Sequence, residues 1–440
     1  MYLITNAKVI TFSDKKEFID DGALLIDNDK IADISTTDKL KKKYPDLEEF
    51  DIKGKVLMPG MINTHMHFYS TFARGMDLKT DRPPQGFVDI LEKLWWRLDE
   101  NLNKEDIYYS TIFALLSSIR NGVTTIFDHH ASYGYIDGSL DIIADAVKKS
   151  ALRANLSYEI SDRNGEIKRN KAISENERFI RKLKNNNKLA AMIGLHASFT
   201  LSDETLTEVA ALSDNLDTPI HIHVAEGYED VKDSKDKGFK GVVDRLNKYN
   251  LWKEDSLAIH GVHLQREEFD ILKNHNVHLI HNPESNMGNA VGYSPIDKAF
   301  NKGVNIGLGT DGYTTDIFES LQVANLLQTH ERNHPSVGGN IIRDMLSNNS
   351  KIASTLFDEK IGKIEKGAVA DLIVLDYQSP TPINKENYFS HLLMGVKGPI
   401  VDSTIVGGKF LMKNQEVKVL DEKRLLARVS KQAEDFWKRF

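Results

Sequence analysis

The chain has 440 residues, of which 40% are hydrophobic and 28% charged, with a formal net charge of −7 at neutral pH. This length accommodates one large enzyme domain with a smaller companion, and an acidic balance without a recurring basic cluster argues against nucleic acid or an anionic membrane as partner. With no cysteine in the chain, disulfides, thiol nucleophiles, iron–sulfur clusters and thiolate-bound zinc are excluded, so any metal must be held by nitrogen and oxygen.

The opening MYLITNAKVITF lacks a basic n-region and a continuous apolar core, so no signal peptide is expected. No apolar run approaches the length of a membrane span, and the chain is expected in the cytoplasm. YLITNAKVITF reads as a strand, and ALLIDNDKIADI as a hairpin turning near Asn28 and Asp29. Similar strand text returns in ADLIVLD (370–376) and STIVGGKFLM (403–412). The two ends are expected to pair into one small composite β-sandwich domain, residues 1–56 plus 362–418, although two separate sheets would leave the same trace.

Between them, over residues 57–361, short apolar runs alternate with amphipathic segments such as KEDIYYSTIFALLSSIRNG (104–122), whose apolar residues fall at helical spacing. Eight runs read as strands buried on both faces: VLMPGMIN, GVTTIFDHH, RANLSYE, AAMIGLHA, PIHIHVAE, SLAIHG, VHLIHNP and NIGLGTDG. Eight such strands alternating with helices predict a (β/α)8 TIM barrel. The charge-rich stretches 164–188 and 227–240 read as solvated helix or loop; the second, directly after Glu226, is also a candidate lid. Residues 419–440 read as an amphipathic helix docked through Leu425, Val429 and Phe436.

Strand after strand ends in a chemically able side chain: His65 and His67, His129 and His130, Glu159, His196, His223 and Glu226, His260, His281, Asp311. In such barrels the carboxyl ends of the strands form the active face. His221 and His278 lie within runs and read as packing residues. In NTHMHFYS, His65 and His67 stand two apart on an extended segment and so face the same side. Alone the pair could be two solvated loop histidines. With the other polar residues gathered at the same end, a metal site is expected.

PGMINTHMHF, HIHVAE, AIHGVHL, IHNPESN and LGTDG, in this order and on the expected strands, together resemble the amidohydrolase superfamily, in particular its aminohydrolase branch. Within it, INTHMHFYSTFARGM and HNPESNMGNAVGY are most similar to the SsnA-type aminohydrolases. The resemblance implies that His65, His67, His223 and Asp311 ligate one divalent metal. Three imidazoles and a carboxylate suit zinc, with iron(II) or manganese as substitutes, and zinc lowers the pKa of a bound water to about 7. Glu226 would take the water proton and pass it to a ring nitrogen and then to the leaving group. His260 would hold the attacking oxygen, or else serve as a further ligand or structural partner, and Asp311 would align the oxygen. His196 would contact the substrate beside the metal. His129, Arg74 and Trp95, with His130, Trp96 and His281, are candidates for the pocket wall, though the tryptophans of KLWWRLDE read equally well as helix-face core.

Two departures matter. Binuclear members carry a bridging lysine near the carboxyl end of strand 4, where this chain reads AAMIGLHASF. Lys188 precedes that strand and would lie roughly 25 Å from His196 at ~3.3 Å per residue, so a single metal is expected. Guanine deaminases commonly carry a glutamine shortly after the His-x-His pair, where Phe68, Tyr69 and Ser70 stand here. The expected activity is deamination of a purine-like or related nitrogen heterocycle, in a homodimeric enzyme. The alternatives are hydrolytic dechlorination or dealkylamination, or a non-catalytic metal- or ligand-binding barrel.

Overall fold

The computed structural model describes residues 1–13, 17–183 and 186–440. Parallel pairing joins Met61–Met66, Val123–His130, Arg153–Tyr158 and Leu189–Ala191 into one sheet. Ile193–Ala197, Ile220–Val224, Leu257–His260, His278–His281 and Asn305–Leu308 form a second. Parallel bridges from Ile160 to Leu195 and from Met66 to Asp311 close the two into a barrel. At the second seam the N–H groups of Thr310 and Asp311 both donate to His65 O at 3.0 Å. Gly309 makes this seam possible: a Cβ there would stand 2.9 Å from His65 O and 2.5 Å from Asn282 Oδ1. The barrel strands are buried along almost their whole length, as continuous apolar runs require.

The run VLMPGMIN, expected as one barrel strand, is two. Val56–Pro59 pairs with strands of the terminal sheet, parallel to Tyr2–Ile10 and antiparallel to Leu372–Leu375, and only Met61–Met66 enters the barrel. An unbroken apolar run carries no periodicity that could reveal the split. The fourth barrel strand is likewise divided, Leu189–Ala191 pairing with the third strand and Ile193–Ala197 with the fifth.

Strands from both ends of the chain form one mixed sheet, nine-stranded among the described residues. The hairpin Phe18–Asp27/Lys30–Thr36 turns at Asn28, which takes the left-handed conformation (φ 53°) that such a turn needs. Lys30 bridges to Val369, and Ile31 N–H donates to Ala368 O at 2.9 Å, so the sheet folds back toward its own middle strands. Leu24, Ile26, Leu57, Leu372 and Ile405 share the apolar cluster this encloses.

The helix expected over 104–122 spans Lys104–Arg120 and starts with a capping box between Asn103 and Asp106. The charged stretch 164–188 contains the helix Glu166–Lys182, while Lys184 and Asn185 lie outside the described residues. Residues 227–240 contain a helix, Tyr228–Asp236, pinned by buried Asp230, which accepts from the N–H groups of Phe199 and Ala225 at 2.9 Å each. The final helix, Glu422–Arg439, buries Val429 and Phe436, with Leu425 partly buried against the same core. Among the described residues no helix is long and apolar enough to cross a membrane.

Candidate active site

Histidines converge at the carboxyl end of the barrel, and backbone carbonyls fix the ring proton of two of them. Thr310 and Asp311 fasten the backbone of His65, and its Nδ1 lies 2.8 Å from His221 Nε2. His67 Nδ1–H donates to His129 O, and His223 Nδ1–H donates to His196 O at 2.8 Å. A neutral imidazole with its proton engaged at Nδ1 presents a lone pair at Nε2. His67 and His223 therefore present Nε2 lone pairs, and the ligand atoms of these two and His65 lie within 4.8 Å of each other. His67 Nε2 is 3.0 Å and His65 Nε2 3.6 Å from Asp311 Oδ1. His65 Nε2 is fully buried without a hydrogen-bond partner. Such an orphaned lone pair in a ring of donors fits a metal cation.

Electrostatics agree with this. Burial lowers the pKa of His65 to about 3 and that of His223 well below its ordinary value, so both rings are neutral at neutral pH, as metal coordination requires. Burial also disfavours the cation of His67, but the Asp311 carboxylate outweighs it and raises that pKa to about 9. Burial opposes ionisation of Asp311 too, yet the neighbouring imidazoles of His65 and His67 hold its pKa well below the carboxylate range.

Around this cluster stand groups suited to moving protons. His260 Nε2 is 3.4 Å from Glu226 Oε2 and 3.8 Å from Asp311 Oδ2, while its Nδ1–H is held by Asn286 Oδ1 at 2.8 Å. Burial raises the pKa of Glu226. Asn289 Nδ2 donates to Glu226 Oε1 at 3.2 Å and to Ser285 Oγ at 3.2 Å, and Ser285 in turn donates to Asp311 Oδ2. One network thus spans the two carboxylates. The backbone turns out of the fifth, sixth and eighth strands through left-handed residues, Ala225 (φ 49°), His260 (φ 73°) and Asp311 (φ 52°). Non-glycine residues take this conformation at a cost, and such positions cluster at functional sites.

A cavity opens over the cluster, walled by Tyr69, Phe87, Leu91, Trp95, Trp96 and Tyr313, with His67, His223, Glu226 and Asp311 on one side. Flat aromatic walls suit a planar ring.

The expected residues are distributed as follows. His65, His67, His223, Asp311, Glu226 and His260 come together at the cluster, and His196 and Trp95 line the cavity. His129 does not line it. It is fully buried beneath the metal-side rings, with Nε2 3.1 Å from Leu195 O. Arg74 lies outside the cavity: it is exposed, its guanidinium stacks 5.6 Å from the Phe113 ring, and it borders a neighbouring depression that shares Trp95 and Tyr313. His130 bonds Ser132 Oγ at 2.9 Å, and His281 is buried away from the cavity. His221, read as packing, instead partners His65. His278, also read as packing, is buried and pairs with Asp255 at 2.8 Å. Lys188 reaches Ala151 O at 3.4 Å, before the strand begins, and takes no part in the site.

A family model described as "Amidohydrolase family" matches residues 56–411. The chain belongs to the amidohydrolase family. It is a hydrolase acting on carbon–nitrogen bonds other than peptide bonds, with a metal-binding histidine cluster. A 5'-deoxyadenosine deaminase of Methanocaldococcus jannaschii is 32% identical over 91% of this chain and 93% of its own length. A 5-methylthioadenosine/S-adenosylhomocysteine deaminase of Bacillus cytotoxicus is 30% identical over 96% of both chains. In fold, an adenosine deaminase from Xanthomonas campestris solved with bound zinc superposes with a TM-score of 0.88 at 22% identity, covering 100% of this chain and 99% of that one. An atrazine chlorohydrolase from Arthrobacter aurescens gives 0.80 at 20% identity over 98% and 100%.

Proposed function

We propose that this amidohydrolase is a mononuclear aminohydrolase that replaces an amino group on a purine-like heterocycle with oxygen and releases ammonia. The observation that carries this reading is the convergence of three imidazoles and the Asp311 carboxylate, with Glu226 and His260 beside them. This nitrogen-rich donor set suits zinc, with iron(II) or manganese as substitutes. The placement of Lys188 outside the site supports one metal rather than two. When bound, the metal supplies Lewis acidity and lowers the pKa of water.

The chain's own residues do the rest. The Glu226 carboxyl, raised by burial and fixed by Asn289, carries one proton from the attacking water to a ring nitrogen and then a second, from the hydroxyl so added, to the departing amine. His260, anchored through Asn286, keeps Nε2 turned toward the same space and steadies the oxygen being added. Trp95, Trp96 and Tyr69 enclose the ring, and His196 meets its edge. The names of the relatives, deaminases of adenosine-type nucleosides, support an aminopurine as the core of the substrate. We place the enzyme in the cytoplasm as a homodimer.

The test is ammonia release from purines, adenosine-type nucleosides, pterins and pyrimidines, using protein reconstituted with one equivalent of zinc. Release from at least one aminopurine is expected. Silence across the whole panel, with the metal demonstrably bound, would overturn the reading.

A further inference from the structure

The cavity is also lined by polar groups that the chemistry above does not use. Asp99 and Glu159, 1% and 3% exposed, share one guanidinium: Arg163 donates to Asp99 Oδ2 and to Glu159 Oε1. Arg163 itself is held between the rings of Trp96 and Tyr133, at 5.4 and 4.4 Å. Both carboxyl groups line the cavity, and each keeps one oxygen off the arginine. Asp99 Oδ1 is buried without any partner. Glu159 Oε2 is 3.9 Å from His129 Nδ1, beyond hydrogen-bond reach. Trp96 Nε1–H, on the same wall, is also buried and unpartnered.

His196 adds to this wall. Thr200 donates its hydroxyl proton to Ala197 O at 3.0 Å, so His196 must donate from Nδ1 to Thr200 Oγ1, at 2.8 Å. Its Nε2 is then an acceptor. Buried polar atoms left unmatched are destabilising. A ligand that fills them recovers that cost.

We propose that Glu159, held by Arg163 and flanked by Asp99 and His196, is a specificity-determining residue that selects heterocycles presenting a second N–H donor besides the displaced group. The ligand class is a diaminated ring, with one amino group to be displaced and a second amino group or ring N–H to be read by this wall. This rests on the deaminase reading for its reaction but not for its binding.

The experiment compares two purines that share a 6-amino group and differ only in a 2-amino donor, 6-aminopurine and 2,6-diaminopurine, in whichever form, base or ribonucleoside, turns over. The wild type is expected to favour the diamino compound in kcat/KM by about 10-fold or more. Glu159→Ala and the more conservative Glu159→Gln should bring that ratio toward one. Equilibrium binding of 2-aminopurine and purine, neither of which has a 6-amino group to lose, separates the two hypotheses. Tighter binding of 2-aminopurine by wild type, lost in Glu159→Gln, supports the wall even if no ammonia is ever released. A wild type indifferent to the 2-amino group, or a preference that survives both substitutions, overturns it.

Discussion

His67 Nε2 lies 3.0 Å from Asp311 Oδ1, close enough for the carboxylate to favour a proton on that ring nitrogen, which a metal held by both residues would displace. Burial alone would discharge His67, but Asp311 holds its pKa at about 9. His65 and His223 are already neutral at neutral pH. Uptake of a divalent metal near pH 7.5 should therefore release close to one proton, from His67. Apparent metal affinity should rise about tenfold per pH unit from about pH 7 and level off above about 9. For the metal-free protein the sign reverses. A raised histidine pKa stabilises the fold fully below its unfolded value of about 6.5, and that contribution fades as pH climbs through about 9. Calorimetric titration of metal in buffers of differing ionisation enthalpy checks the proton count. His65→Ala and Asp311→Ala should each lose metal and activity together.

The link between His260 and Asn286 gives a second prediction. His260 Nε2 has no partner of its own, and its direction is set by the 2.8 Å bond from Nδ1 to Asn286 Oδ1. Asn286→Ala should leave metal content intact, because Asn286 touches none of the four proposed ligands through its side-chain oxygen. It should lower kcat by about 10-fold, the order of effect expected when a reacting group loses its orientation. Loss of metal in this variant would instead point to His260 as a ligand.

Much of this site was legible in the sequence because barrel topology converts strand-end position into shared location. His65, His67, His223, His260 and Asp311 each close a short apolar run, and the fold brings the ends of such runs together. Second partners were less legible. His221 sits mid-strand, where an inward histidine reads as packing, and only the approach of the first strand shows that it orients His65. Ser285, Asn286 and Asn289 lay within the quoted IHNPESN and HNPESNMGN text. Their roles emerge from the short helix Pro283–Gly288 and its C-cap Asn289, which together aim three polar side chains at three different site residues. Asp99 gave no signal at all, since an aspartate in the helix Trp96–Asn101 is indistinguishable from a solvated one until Arg163 arrives. Arg74 misled for the opposite reason: it follows the His-x-His motif closely, but the chain has by then left the cavity.

Glu226→Gln separates binding from chemistry. The amide keeps the size of the carboxyl and can still bond Asn289, but it cannot carry a proton. Metal content and folding should be preserved while turnover of an amino substrate falls by roughly 10²-fold or more. Near-normal turnover would remove Glu226 from its proposed role. The raised pKa of the carboxyl adds a pH signature: the acidic limb of kcat/KM should lie above the ordinary carboxylate range in wild type and be absent from the variant.

The leaving group supplies the sharpest contrast, because fold neighbours of this chain are described both as deaminases and as a chlorohydrolase. An amino heterocycle that turns over can be paired with its chloro analogue, each assayed with wild type and Glu226→Gln. Both reactions need a proton removed from the attacking water. Only the amine also needs one delivered before it can depart, whereas chloride leaves as a stable anion. Glu226 lies 3.4 Å from His260 and faces the same space, so a single carboxyl can serve both transfers. The substitution should slow both reactions, and slow deamination more, by about 10-fold, which corresponds to ~1.4 kcal/mol of transition-state stabilisation. Equal losses on the two substrates would confine Glu226 to the role of base. The proton for the amine would then come from His260, and the Asn286→Ala variant should lose deamination selectively while sparing dechlorination.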